Sequence, residues 1–402
     1  MTSNSTVGPN HTVARGHLLA LDGIRGLAIL MVIFSHAFKV NYETRGFLID
    51  LIGHVLFYGY FGVDLFFVLS GFLITGILFD SLQDEGYFRK FYARRALRIL
   101  PLYYGVIVVC LLLTHPLHLH WGDMGWLLMF YLQNLHPMTI MGFSPGAGIG
   151  LYHFWSLAVE EQFYLIWPAA VFLIRGKRKL FITMLVASGA ALVLRLAALA
   201  LGASPFAMHV TTICRADSLL LGGALAMMYR SAWWPRVERV APWGFLAAAA
   251  IMVGSLVLLE PFMVRHSLYV PFWSEGLSYT VLAVGFACLI AWSLRAGSMC
   301  QWVFQRPWLR FLGKYSYGLY VLHVIILSEI DERLRDVLYG ATHSKLLAVV
   351  CAGFISLALS IVAAYASYHL YEKPFLNLKH RFDYSRRSLN HGSPDDSFVK
   401  QG

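Results

Sequence analysis

Arg25 and His36 stand eleven residues apart in LLALDGIRGLAILMVIFSHAFKV (18–40), a stretch otherwise almost free of charge. In a helix, eleven residues return to within roughly 20° of one face and separate the two side chains by about 16 Å along the axis. A guanidinium keeps its charge and suits a phosphate or carboxylate. An imidazole that titrates near neutrality suits proton transfer. The alternative is an Arg25–Asp22 pair and a histidine that hydrogen-bonds a neighbouring helix.

A second group lies in FRKFYARRALRILPLYY (88–104). Arg95 and Arg98 are three apart and Arg94 and Arg98 four apart, so each pair shares a helix face. The span that follows them is predicted to open at Pro101. Clustered guanidiniums form a fork for a polyphosphate; anchoring to lipid headgroups is the competing use. A third group lies in HFWSLAVEEQFYLIWP (153–168), where Ser156, Glu160 and Tyr164 repeat at four-residue spacing on one face. Glu160 and Glu161 point about 100° apart, which suits different tasks. Carboxylates at the start of an apolar span need cationic or hydrogen-bonding partners. Nothing fixes the separation that a glycosidase carboxylate pair requires.

Smaller signals are Asp64 and Ser70 in GYFGVDLFFVLSGFLI, Arg215 and Asp217 in CRADSLLLGGALA, and His323 in GKYSYGLYVLHV. Such residues more often satisfy a core than do chemistry. His115, His118 and His120 cluster without a companion carboxylate or Cys to set a ligand geometry, so no metal is expected. No P-loop, no GxGxxG after a strand and no GxSxG elbow is present. The five cysteines are scattered, with no CxxC spacing, and read as core side chains.

The elements that must position these groups are set by composition. Of 402 residues, 58% are hydrophobic and 13% charged, about half the charge of a soluble domain. Apolar blocks of about 18–25 residues match a bilayer core crossed as helix, and lipid forces the backbone of such blocks to be helical. The expected fold is all-α and polytopic. Ten spans are predicted near 18–40, 51–79, 98–115, 151–174, 180–201, 211–229, 241–260, 275–294, 312–330 and 346–371. Residues 122–135 are apolar but short, and are predicted to form a re-entrant or half-buried helix. The net charge of +10 sits in clusters between alternate blocks, at Arg89–Arg98, Arg175–Lys179, Arg230–Arg239, Arg295–Lys314 and beyond Lys373. That is the pattern of cytoplasmic loops, not of nucleic-acid binding, and it puts both termini in the cytoplasm. The organisation expected is a polar segment at 1–17, a membrane domain at 18–375, and a basic, disordered tail at 376–402. No cleavable signal peptide is evident, and no internal repeat suggests a transporter built from two halves.

Taken in order, these segments resemble the acyltransferase-3 family of membrane O-acyltransferases. The resemblance is carried by Arg25 and His36 in the first span, GVDLFFVLSGFLI, RRALRILPLYY, WSLAVEEQFY, RADSLLLGGALA, YSYGLYVLH and SYHLYEKPF, from about Leu19 to Phe375. It implies a ten-span protein of the bacterial inner (cytoplasmic) membrane. Such proteins move an acyl group, most often acetyl, from acyl-CoA to a hydroxyl of a carbohydrate or glycosylated small-molecule acceptor. It implies that His36 takes part in the chemical step and that Arg25, Arg95 and Arg98 are essential. Some members append a periplasmic SGNH-type domain. Only a short tail follows Phe375 here, so the chain is expected to act alone or with a separate partner protein.

The mechanism this suggests docks the coenzyme phosphates on Arg95 and Arg98, with Arg25 just inside. His36 then acts as general base or transient acyl carrier, Glu160 or Asp64 orients its ring, and Arg25 or Tyr320 stabilises the oxyanion. The rival expectation is a transporter or flippase for a polar, lipid-linked sugar, its pathway lined by the same charges.

Overall fold

The computed structural model describes residues 18–38, 56, 58–116, 121, 124–135, 151–265 and 276–384. Among them there is no strand. The long helices are α1 (Leu19–Ala37), α2 (Gly62–Asp80), α3 (Tyr87–Leu112), α5 (Trp155–Ile174), α6 (Lys177–Ala200), α8 (Thr212–Tyr229) and α9 (Trp234–Arg265). They continue with α10 (Ser278–Leu294), α12 (Pro307–Ile326) and α14 (Lys345–Ser367). Shorter pieces join them: α4 (Met124–Met129), α7 (Pro205–Val210), α11 (Met299–Phe304), α13 (Glu332–Thr342) and α15 (Lys373–Asn377).

Eight of these helices, α1, α2, α3, α5, α6, α8, α9 and α14, are long and apolar enough to cross a membrane among the described residues. The expectation of ten is not met by that measure. The block at 275–294 yields α10, which is apolar but only 17 residues long. The block at 312–330 is preceded by a full turn, because Pro307 opens α12 and brings Arg310 onto the helix that already carries Lys314. The segment at 122–135 forms α4 and a 3-10 turn at Gln133–Leu135, with Tyr131 at φ 55° between them. Leu128 is buried while Trp126 and Phe130 are exposed, so the described part is a broken, half-buried piece.

The third predicted span starts earlier than its charge pattern suggested. Helix α3 begins at Tyr87 and runs through Pro101. Tyrosine hydroxyls bond carbonyls beside the proline: Tyr317 donates to Ile99 O at 2.6 Å and Tyr371 to Pro101 O at 3.1 Å. The proline itself removes only one helical hydrogen bond, the one to Leu97 O.

The helices sort by burial. Helices α2 and α8 are mostly enclosed, whereas α6, α9 and α14 turn most of their apolar residues outward. Close contacts in the middle depend on glycine. A Cβ on Gly313 of α12 would lie 1.8 Å from Asp22 O of α1, and one on Gly71 of α2 would lie 1.8 Å from Leu219 O of α8. Small residues at these crossings let backbones touch, the packing that substitutes for a hydrophobic driving force in lipid.

A buried ion network ties α2, α6, α8 and α10 together. Arg195 bonds Asp217 at 2.9 Å, Thr280 at 2.8 Å and Gly276 O at 2.9 Å. Arg215 pairs with Asp64 and lies 3.7 Å from the centroid of the Tyr279 ring. Asp64 Oδ1 also accepts from Ser218 at 3.3 Å.

Candidate active site

The central helices enclose a half-open cavity of about 170 Å³. That is space for on the order of ten waters, enough for a slender arm and too little for a polysaccharide. Helix α1 contributes Arg25, α3 contributes Arg95 and Arg98, α5 contributes Ser156, Glu160, Glu161 and Tyr164, and α12 contributes Tyr317 and Tyr320. Helix α2 supplies Ser70 and an apolar wall of Phe66, Phe67, Leu73 and Ile74. The three cofactor-binding candidates therefore converge, although the two helices that carry them are far apart in the chain.

The two ends of the cavity differ in chemistry. At one end Arg25 is held by Asp22 at 2.8 Å, with its side chain still 28% exposed. Arg95 lies 5.6 Å from the Tyr164 ring centroid, and neither Arg95 nor Arg98 makes an ion pair among the described residues. Glu160 faces the hydroxyls of Ser70 and Tyr164 and lies within electrostatic reach of Arg95 and Arg25. Glu161 shares this cavity, so the 100° offset along α5 does not send the two carboxylates to different surfaces. Arg94 leaves the group and pairs with Asp383.

About 12 Å further along α5, two turns and more, the cavity closes at a hydroxyl pair. Ser156 Oγ and Tyr320 Oη bond each other, and each lies within hydrogen-bond reach of His153 O, at 3.1 and 2.9 Å, so one of them donates to that carbonyl. Behind Tyr320 stand three imidazoles. The His323 centroid is 5.8 Å from Tyr320, 5.3 Å from His153 and 5.2 Å from His36. Among the described residues no three His, Cys, Asp or Glu side chains are placed to hold one metal ion; His118 and His120 lie outside those residues.

Hydrogen bonds to backbone carbonyls identify the tautomers. His323 Nδ1 reaches Leu319 O at 3.0 Å and Tyr320 O at 2.8 Å, so it carries the proton and leaves Nε2 as acceptor. His36 Nδ1 lies 2.9 Å from Val32 O and 3.3 Å from His323 Nε2. Both are acceptors, so the neutral His36 ring is protonated at Nδ1 and its basic lone pair is on Nε2.

Two sequence expectations change here. His36 does not line the cavity that holds Arg25; the Ser156–Tyr320 pair closes the cavity first, because α12, which packs along α1, brings Tyr320 to the centre. Nor does a carboxylate of the expected pair orient His36. Asp64 is spent on Arg215 and Ser218, and Glu160 on Ser70 and Tyr164. Residues that pattern reading passed over are Tyr317, on the cavity wall, and Arg195, in the ion network. The signal for Arg195 was available, since a lone arginine in the middle of an apolar block demands partners.

The family model for an acyltransferase domain matches residues 18–365. The chain belongs to that acyltransferase family. Among its relatives, a peptidoglycan O-acetyltransferase of Listeria monocytogenes is 33% identical over 78% of this chain and 50% of its own length. A putative peptidoglycan O-acetyltransferase of Bacillus subtilis is 31% identical over 93% of this chain and 57% of its own. A putative O-acetyltransferase of Staphylococcus aureus is 27% identical over 92% of this chain and 59% of its own. The chain thus spans between 50% and 59% of the length of these curated relatives. No solved structure matches it.

Proposed function

We propose that this chain is a multi-pass membrane O-acyltransferase that moves an acetyl group from acetyl-CoA to a hydroxyl of a peptidoglycan-type carbohydrate. The observation that carries this reading is the convergence of Arg25, Arg95 and Arg98 on one cavity whose far end meets hydroxyls and imidazoles. Guanidiniums suit the phosphates of the coenzyme. The cavity then takes the pantetheine arm along the α2 wall and presents the thioester to Ser156 and Tyr320. Relatives named for peptidoglycan supply the acceptor class.

In the chemical step Tyr320 turns its hydroxyl from His153 O toward the thioester oxygen and opens the way to His36. His36 Nε2 takes the proton of the acceptor hydroxyl while its oxygen attacks the thioester carbonyl. The tetrahedral oxyanion accepts a hydrogen bond from Tyr320. The C–S bond then breaks, and the thiolate leaves with the proton that His36 held. Residues 18–375 form the unit that performs this. The basic end faces the cytoplasm of a bacterial inner membrane, with both termini on that side, and the acceptor approaches the histidine side alone or delivered by a separate protein.

The test is purified protein in lipid vesicles, given labelled acetyl-CoA and glycan oligomers. Label is expected covalently on the glycan, and His36→Ala is expected to lower its rate by about 10²–10⁴-fold at matched folded protein. A glycan that changes side of the vesicle without acquiring label would establish the transporter reading in place of this one.

A further inference from the structure

The chain beyond α14 does not leave the bundle. After π-helical turns at Tyr368–Glu372 it forms α15 and a 3-10 turn at Leu378–Phe382, and this strap lies against α3 beside the arginine end of the cavity. Within the segment expected as a basic tail from 376, residues 376–382 carry helical turns; 385–402 lie outside the described residues. Three ties hold the strap. Tyr371 donates to Pro101 O at 3.1 Å. Arg94 pairs with Asp383 and reaches Lys379 O at 3.4 Å and Phe382 O at 3.5 Å. The same guanidinium lies 5.5 Å from the centroid of the Tyr384 ring.

What the strap delivers is Lys379. Its carbonyl accepts from Arg94 at 3.4 Å, the strongest charges acting on its ammonium are those of Arg98, Arg95, Arg94 and Arg25, and it makes no ion pair among the described residues. Of the five cations, Arg94 and Arg25 are directly ion-paired among the described residues, with Asp383 and Asp22, while Glu160 and Glu372 act on Arg95 and Arg98 only at longer range. Assembling like charges at a partly buried site costs free energy that a polyvalent anion offsets. A fold that spends a tyrosine, an arginine and an aspartate on fixing the segment that adds another cation has a use for the added charge.

We propose that Lys379 is a further binding residue for the polyphosphate end of the coenzyme, and that the strap 373–384, latched by Arg94 and Asp383, is the part of the site that holds it in place. This rests on the coenzyme reading above. Arg94, whose sequence spacing grouped it with Arg98, serves as a positioning residue and not as a phosphate ligand. An anionic lipid headgroup offers the same chemistry, so the experiment must separate the two sources.

Acetyl-CoA binding to the full chain is measured in vesicles of phosphatidylcholine alone and in vesicles with added phosphatidylglycerol. Lys379→Ala is expected to weaken binding about tenfold in both, the loss of one charge-assisted contact, and Lys379→Arg to restore it to within about threefold. Asp383→Ala, which leaves all five cations in place, is expected to weaken binding by a smaller factor through release of the latch. Unchanged affinity of Lys379→Ala in phosphatidylcholine, or an effect confined to phosphatidylglycerol vesicles, would overturn the proposal. Failure of the wild-type chain to bind acetyl-CoA at all would instead strike the coenzyme reading itself.

Discussion

Tyr320 occupies a position that no spacing rule anticipates. Its ring belongs to the cavity, its hydroxyl is shared with Ser156 and His153 O, and the imidazoles of His153 and His323 pack behind it. On the proposed mechanism it is the side chain between a thioester in the cavity and a base at His36. Tyr320→Phe is expected to lower turnover by about 10- to 100-fold, the scale of one oxyanion donor or somewhat less, with the KM for acetyl-CoA within about twofold. An unchanged kcat would remove the hydroxyl from the reaction. The types and spacing of Arg25, Arg95, Arg98 and Glu160 were legible in the sequence because each lies in an apolar block where charge is expensive. The contact of His36 with His323 was not, since it joins residues 287 positions apart through a helix crossing that periodicity does not encode.

At the scale of elements, the same expense explains the ion network. Asp64 was a catalytic candidate for the reason that Arg195 should have been noticed: both are ionisable groups at membrane depth. What distinguishes them from Glu160 is that each has its counter-ion within the bundle. Removing one partner from such a pair strands a buried charge and costs about 3–5 kcal/mol. Arg195→Ala is therefore expected to lower the thermal midpoint and folded yield in detergent sharply. Asp64→Asn is expected to lower stability in the same direction while the rate per folded molecule stays within about threefold of wild type. A large loss of specific activity in well-folded Asp64→Asn would return Asp64 to the catalytic group. Helix existence was readable from block length, but the start of α3 was not. The arginines that look like a loop are carried on a helix that runs on through Pro101, where Tyr317 and Tyr371 bond Ile99 O and Pro101 O.

The whole molecule is arranged around a gradient from charge to hydroxyl to imidazole across its enclosed helices. Outer helices α6, α9 and α14 present apolar side chains to their surroundings, and the polar chemistry is confined to the interior. All-α architecture was legible from composition, and the blocks that became α10 and α12 were both predicted as spans; by length and hydropathy in the structure neither qualifies, since α10 has 17 residues and α12 carries Arg310 and Lys314. The central claim is that the gradient is the path of an acyl donor. It is tested most directly by the structure of the protein in lipid nanodiscs with a non-hydrolysable acetyl-CoA analogue. Phosphate density is expected within hydrogen-bond reach of Arg25, Arg95 and Arg98, and the acyl carbonyl beside Tyr320 and Ser156. Coenzyme density elsewhere on the protein, with the cavity between α1, α3 and α5 unchanged, would contradict it.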